Sequence, residues 1–209
     1  MNVLFITIVI GIVILWSAWG YFASNVEQAE YVVAQKGNGY EVRTYASHIV
    51  AETSVSGSYQ EALNEGFRII AGYIFGGNVG KQKVAMTAPV TEQVSAEKIA
   101  MTAPVTTSAA DGGTRTVAFV MPKGYTLDTL PVPNDSRVKL VSRPERTMAV
   151  LRFSWYRTTA RVQKKEAELL LLLKRDGITI KGTPIYAGYN APWTPPWMVR
   201  NEVMVEIEK

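Results

Sequence analysis

The chain has 209 residues, with 22 Lys or Arg, 18 Asp or Glu, a single His and no Cys, giving a formal net charge of +4. The missing cysteine excludes disulfides, and one histidine excludes a His-rich metal centre. Charge is uneven: Arg137 to Lys181 holds 12 basic and 4 acidic residues, the remainder 10 and 14. A basic face can meet anionic lipid or an acidic ligand, but much of this excess reads as the solvated surface of a helix, and no nucleic-acid-binding motif is present.

In chain order, Val3 to Ala23 comes first. It carries no charged side chain, and 12 of its 21 residues are Val, Leu, Ile or Phe. As a helix it spans about 32 Å, enough for a hydrocarbon core of roughly 30 Å. Trp16, Trp19 and Tyr21 gather at its C-terminal end, where amphipathic rings favour a membrane interface. Residues 1–24 are therefore expected to be a membrane anchor contacting the bilayer through residues 3–23. Residues 25–209 should form one domain with its own core. A cleaved signal peptide is the alternative, with Ala18-Trp19-Gly20 as a small-x-small site. The missing Lys or Arg ahead of the apolar run, and the length of that run, favour the anchor. Glu27 and Glu30 follow it, and no basic residue appears before Lys36, so neither flank carries a positive-inside signal. The domain is expected on the outer, periplasmic side.

After a polar linker, Tyr31 to Ala34 reads as a strand and Lys36-Gly37-Asn38-Gly39 as a tight turn. Tyr40 to Tyr45 and His48 to Ser56 alternate as half-buried strands do. Ser58 is placed to cap a helix whose apolar residues Tyr59, Ala62, Leu63, Phe67, Ile70 and Ile74 recur at three- and four-residue intervals, ending near Gly76-Gly77. Two proline-containing segments follow, then a strand over Thr116 to Met121 and an irregular crossover over Tyr125 to Asp135.

Strands over Arg137 to Ser142 and Arg146 to Trp155 come next. A helix follows from Thr158 or Thr159 to Asp176, stopped at Gly177. Strands near Ile185 to Tyr189 and Glu202 to Ile207 close the chain. Strands, helix, strands, twice over, predict an internally duplicated α+β domain with a mostly antiparallel sheet.

The strongest local signal is a repeated string. Lys83-Val84-Ala85-Met86-Thr87-Ala88-Pro89-Val90-Thr91 recurs 15 residues later as Lys98-Ile99-Ala100-Met101-Thr102-Ala103-Pro104-Val105-Thr106, identical at eight of nine positions. No standard catalytic chemistry needs these residue types. Met and Val fill apolar space, and Pro removes a ladder donor, so the string reads as paired edge strands beside a cavity.

This string, preceded by a helix and Gly76-Gly77-Asn78, resembles the SOUL/haem-binding protein family. So do Phe119-Val120-Met121-Pro122 with Leu130-Pro131-Val132-Pro133, and Ala187-Gly188-Tyr189-Asn190-Ala191-Pro192-Trp193 with Arg200-Asn201-Glu202-Val203. The doubled motif looks like the bacterial branch. The resemblance covers roughly residue 30 to the C-terminus. It implies a distorted antiparallel β-barrel carrying two α-helices from a duplicated unit, here with the N-terminal transmembrane helix added. It also implies non-covalent binding of haem or a related tetrapyrrole in an apolar groove. By that resemblance the groove lies beside the first domain helix, at Asn64, Phe67, Ala71 and Gly72, with Tyr189 and Trp193 from the late loop. Animal relatives carry basic residues where this chain has Asn64 and Gly72. Arg68, Lys81, Lys83 and Arg200 are then the nearest basic partners for propionates.

Haem iron is usually held by His, Cys, Met or Tyr. The lone His48 is the candidate ligand, with Tyr189 and Met86 as alternatives and a solvated turn role for His48 left open. The stiff Trp193, Pro195, Pro196, Trp197 loop can wall the groove, cover the barrel end or enter a lipid interface. Glu61 and Glu65 are four apart on one helix face, more in keeping with solvated charge than with a catalytic dyad. No nucleophile lies beside a base in sequence, so an enzyme is not expected. Carriage, storage or buffering of haem at a membrane is the leading function. A small-ligand-sensing or interaction domain of the effector-binding type, without haem, is the alternative.

Overall fold

The computed structural model describes residues 3–23, 26–80, 96–109, 113–191 and 193–208. The first copy of the repeated string, with Lys81, Lys83 and Met86, lies outside the described residues, as does Pro192.

Helix α1 (Val3–Ala23) is 21 residues long and has no charged side chain. Among the described residues no helix is long and apolar enough to cross a membrane. The described side chains of α1 run only from Phe5 to Tyr21, while its helical backbone covers Val3–Ala23. Its C-terminal half touches the domain. The Trp16 indole N–H donates to the Trp193 carbonyl at 3.0 Å, and the Trp16 ring meets Trp197 edge-on at 5.5 Å. Gly20 leaves room there for Pro195: a Cβ at Gly20 would stand 2.7 Å from the proline Cδ.

The domain is α+β. Strands β1 (Tyr31–Lys36), β2 (Glu41–Tyr45) and β3 (His48–Ser56) lead into α2 (Tyr59–Ile74). Strands β4 (Asn78–Val79), β5 (Val105–Ala109), β6 (Thr114–Val120), β7 (Val132–Pro133), β8 (Lys139–Arg143) and β9 (Arg146–Phe153) precede α3 (Thr159–Arg175), and β10 (Ile180–Gly188) and β11 (Asn201–Ile207) finish it. Nine strands make one antiparallel sheet in the order β1-β2-β9-β11-β10-β5-β6-β3-β8, with β4 and β7 pairing separately. The sheet curls into a half-barrel, so the distorted antiparallel barrel implied by the resemblance is present in part, as an open sheet.

Exchanging β2, β3, β5 and β6 for β8, β9, β10 and β11 reverses the eight-strand order from β2 to β8 onto itself. The repeated strand–helix–strand pattern thus becomes two halves meeting between β5 and β10.

Local signals explain the elements. Gly39 takes a positive φ of 104° at the β1–β2 turn, where an L side chain would be strained. The Glu61 carboxylate accepts both the backbone N–H and the hydroxyl of Ser58, closing the start of α2 and holding its own pKa below the usual carboxylate value. Thr158 caps α3 by accepting the Arg161 N–H at 3.3 Å. Glu65 pairs with Arg68 and lies 3.5 Å from Arg137, so Glu61 and Glu65 have separate structural uses.

The second copy of the repeated string forms no edge strand: residues 98–104 lie outside the named strands, and only Val105 and Thr106 enter β5, which sits between β10 and β6. Pro104 immediately precedes that strand, after a cis Ala103–Pro104 bond, so its missing N–H removes no ladder bond.

Both helices pack on one face of the sheet. Leu63, Ile70 and Tyr73 of α2, and Val162, Leu169 and Leu173 of α3, share a core with Val117, Phe119, Ala149, Leu151, Val203 and Val205. Gly66 brings α2 close to β6, since a Cβ there would lie 2.6 Å from a Val117 methyl. Gly66→Ala is expected to destabilise the fold by about 1–3 kcal/mol through overpacking. An unchanged urea midpoint would show that α2 and β6 separate freely.

Candidate functional site

The other face of the sheet is concave and has its own apolar cluster, including Tyr45, Val50, Val120, Met148, Tyr189 and Met204. Strand pleating puts these residues there. On β9, Met148 and Val150 alternate with Ala149 and Leu151, and on β11, Glu202 and Met204 alternate with Val203 and Val205. The segment ahead of β1 crosses this face. The Ala103 N–H donates to the Glu27 carbonyl at 2.8 Å, and the Ala29 N–H to the Ala103 carbonyl at 3.3 Å.

Two cavities open here. One, of about 250 Å³, has an apolar floor that includes Val50, Val120, Met148, Ile185 and Met204, and a rim of His48, Arg143, Arg146, Lys181 and Glu206. The second, of about 510 Å³, lies towards the crossing segment, with Glu27, Glu30, Lys123 and Tyr125 in its walls. Ala29, His48 and Val120 line both. The larger volume falls within the roughly 300–1,000 Å³ of small-molecule sites.

His48, the first residue of β3, stands where the cavities meet. Its Nδ1 lies 2.8 Å from the Ala46 carbonyl oxygen. A carbonyl can only accept, so Nδ1 carries the proton and Nε2 keeps its lone pair. This is how ligating histidines are commonly oriented. Burial pushes the His48 pKa below 6.5 and the Arg146 and Arg143 guanidiniums push it further, against the opposing Ala46 hydrogen bond. The imidazole is therefore neutral at pH 7. Among the described residues no group of three or more His, Asp or Glu is placed to hold a metal ion by itself.

A charge cluster stiffens the same face. Glu202 is fully buried. Its carboxylate accepts from Arg43 Nη1 at 3.0 Å, Arg200 Nε at 2.9 Å and the Tyr189 hydroxyl at 2.7 Å. Arg200 lies 3.8 Å over the Tyr189 ring, and Arg43 lies 4.4 Å over Tyr31. Burial opposes charge on both guanidiniums, but Glu202 and its neighbours hold their pKa values above the ordinary one. Burial and then Glu202 raise the Tyr189 phenol well above 10, so it donates as a neutral hydroxyl.

The eight residues singled out by sequence fall into three places. Asn64, Phe67, Ala71 and Gly72 lie on α2, across the sheet from the concave cavities. Asn64 is exposed and accepts from Gln60, Phe67 is 39% exposed beside Phe119, Ala71 is buried, and Gly72 has open space where a Cβ would stand. His48, Tyr189 and Arg200 belong to the concave face, but the Tyr189 hydroxyl and the Arg200 guanidinium are both engaged by Glu202. Trp193 is 60% exposed, in the loop that meets α1.

Arg143, Arg146, Met148, Met204 and Glu206 were missed. Arg143 ends β8, and the other four lie on the second face of β9 and β11. Strand alternation sets Glu202, Met204 and Glu206 on the face opposite Val203, Val205 and Ile207, yet Glu202 and Met204 are buried as well.

Fold and face together define an α+β half-barrel with a ligand-sized concave site. The same fold is found in the EcmrR C-terminal domain (TM-score 0.55, 11% identity, covering 86% of this chain and 98% of that one). It also occurs in a protein described as a hydrolase from Listeria innocua (TM-score 0.52, 11% identity, 84% and 94%). In sequence, the chain is 32% identical to human Heme-binding protein 2 over 155 residues, covering 73% of this chain and 71% of the relative. It is 28% identical to the mouse protein over 176 residues, covering 80% and 81%. The family model described as SOUL heme-binding protein matches residues 26–206, and the chain belongs to that family.

Proposed function

We propose that this protein binds haem non-covalently on the concave face, with His48 as the axial ligand, and that it stores, carries or buffers the group rather than transforming it. Family membership supports the ligand. The observation that carries the site is His48, the sole histidine, with Nδ1–H held by Ala46 and Nε2 left as a donor where two cavities meet. The donor set fits the group: a neutral imidazole for iron, apolar walls for a flat macrocycle and guanidiniums for its carboxylates. Bound haem would supply the Lewis-acidic iron and the absorbing chromophore. The chain would supply burial, ligation and orientation.

We further propose that α1 holds this domain at a bilayer, on the outer side. A helix of 21 residues at about 1.5 Å per residue measures about 32 Å, and its described side chains are uncharged, mostly apolar and largely exposed, which supports this reading. A haem binder fixed there would act on ligand reaching or dissolved in the membrane.

Haemin titration of the full-length chain in mild detergent is the test, with a saturable Soret shift expected at micromolar protein. Haemin absorbance identical to that in protein-free detergent would reject the haem reading and leave the sensing or interaction domain. The exposed Phe67 on α2 and Phe75 at its C-terminal end, with open space over Gly72, favour a second seat at α2. Titration of Phe67→Ala separates the two, because only the α2 seat predicts weaker binding in that variant.

A further inference from the structure

The small cavity has a charge pattern that iron ligation does not use. Three cationic side chains stand at its rim, and two already have carboxylates: Arg143 pairs with Glu52, and Lys181 lies 3.5 Å from Glu206. Arg146 differs. It opens β9, its side chain lines the cavity, and among the described residues it closes no ion pair. Its Nε is buried and has no hydrogen-bond partner. Burial weakens its hold on the proton and Arg143 adds to that, with Glu206 opposing.

A buried guanidinium N–H without an acceptor is a standing cost, and a planar carboxylate is the group whose geometry best removes it. The surroundings specify the rest of the ligand. Met148, two residues along β9, and Met204 on the neighbouring strand put apolar surface beside the charge. The molecule that satisfies this seat is therefore apolar over most of its surface and carries a carboxylate at one edge.

We propose that Arg146 is the receptor for a ligand carboxylate in the concave cavity, and that for a tetrapyrrole this is a propionate. The proposal rests on the haem reading given above and goes beyond it: it assigns recognition of the acidic edge to β9, instead of to Arg68 on α2 or to Arg200. Arg200 is excluded by its engagement with Glu202 and Gln28, and Arg68 by its place on the other side of the sheet. The iron plays no part in this contact, so metal-free porphyrin should use it equally.

The experiment titrates full-length wild type, Arg146→Gln and Arg146→Lys with haemin, protoporphyrin IX and the dimethyl ester of each, following Soret absorbance and porphyrin fluorescence. In wild type, esterification should weaken binding about 10-fold or more, as expected for loss of a charge-assisted pair. Arg146→Gln should weaken both free acids by a similar factor and leave both esters bound as in wild type, which also reports an intact fold. Arg146→Lys should recover part of the loss. Esters binding wild type as tightly as the acids would overturn the proposal without any variant. Equal acid binding by Arg146→Gln and wild type would overturn it too, while leaving haem binding standing. No binding of any of the four compounds by wild type would reject the haem reading itself.

Discussion

Glu202→Gln is expected to lower the stability of the domain by about 3–5 kcal/mol, the range for removing one partner of a buried ion pair. Glu202 has no exposed surface, and the side chains of Arg43 and Arg200 that it joins are 4% and 15% exposed. The glutamine amide matches the carboxylate in shape, so the change leaves no cavity. It replaces an acceptor oxygen by an N–H₂ facing two guanidiniums and the Tyr189 hydroxyl, and it leaves two positive charges with one fewer counter-charge in a dry site. The pair itself need not be worth that much, since an apolar replacement of all partners can be neutral. The cost lies in breaking it halfway. Urea unfolding followed by tryptophan fluorescence measures it. A change under about 0.5 kcal/mol, the usual range of surface substitutions, would mean that water reaches the cluster.

His48→Ala should abolish the ligand-field signature of bound haem and weaken haemin binding at least about 10-fold, the lower end of what loss of even an outer-shell partner of a metal ligand costs. Protoporphyrin IX, with no iron to ligate, should bind the variant as it binds wild type. The pH dependence follows from the direction of the shift. Burial first, then Arg146 and Arg143, hold the folded pKa below 6.5, so the folded imidazole takes up its proton, and gives up its lone pair, in more acid solution than a free one. The unfolded chain protonates first as pH falls. The stability that this site contributes is thus present above about pH 6.5 and is lost as pH falls through the folded value. A haem spectrum that already changes above pH 6.5 in wild type, or one unaltered in His48→Ala, would remove His48 from the iron.

Much of the fold was legible because its signals are local. Ser58, Thr158 and Gly177 mark helix ends through their own backbone chemistry, and the period of α2 follows from which side faces the sheet. The duplication was legible as a repeated order of elements. The site was legible only in part. His48 stood out as the lone residue of its type, but what makes it a ligand candidate is a backbone carbonyl two residues earlier and two guanidiniums, Arg143 opposite it on the paired strand β8 and Arg146 at the head of β9. Arg146 carried no signal, since one arginine at the head of a strand looks like any other until its Nε is found buried. Glu202 misled by pattern. Strand alternation assigns it to solvent unless both faces of the sheet are known to be covered.

The strand order that reads the same from both ends bears on how a ligand would be seated. Under that exchange β3 and β9 are counterparts, and their opening residues are His48 and Arg146, both at the rim of one cavity. A cavity built from two identical halves would offer the same group twice and accept a flat ring either way round. Here one half presents an imidazole and the other a guanidinium. The duplication that built the cavity has been made directional, so a ring carrying acidic groups along a single edge has one way to enter.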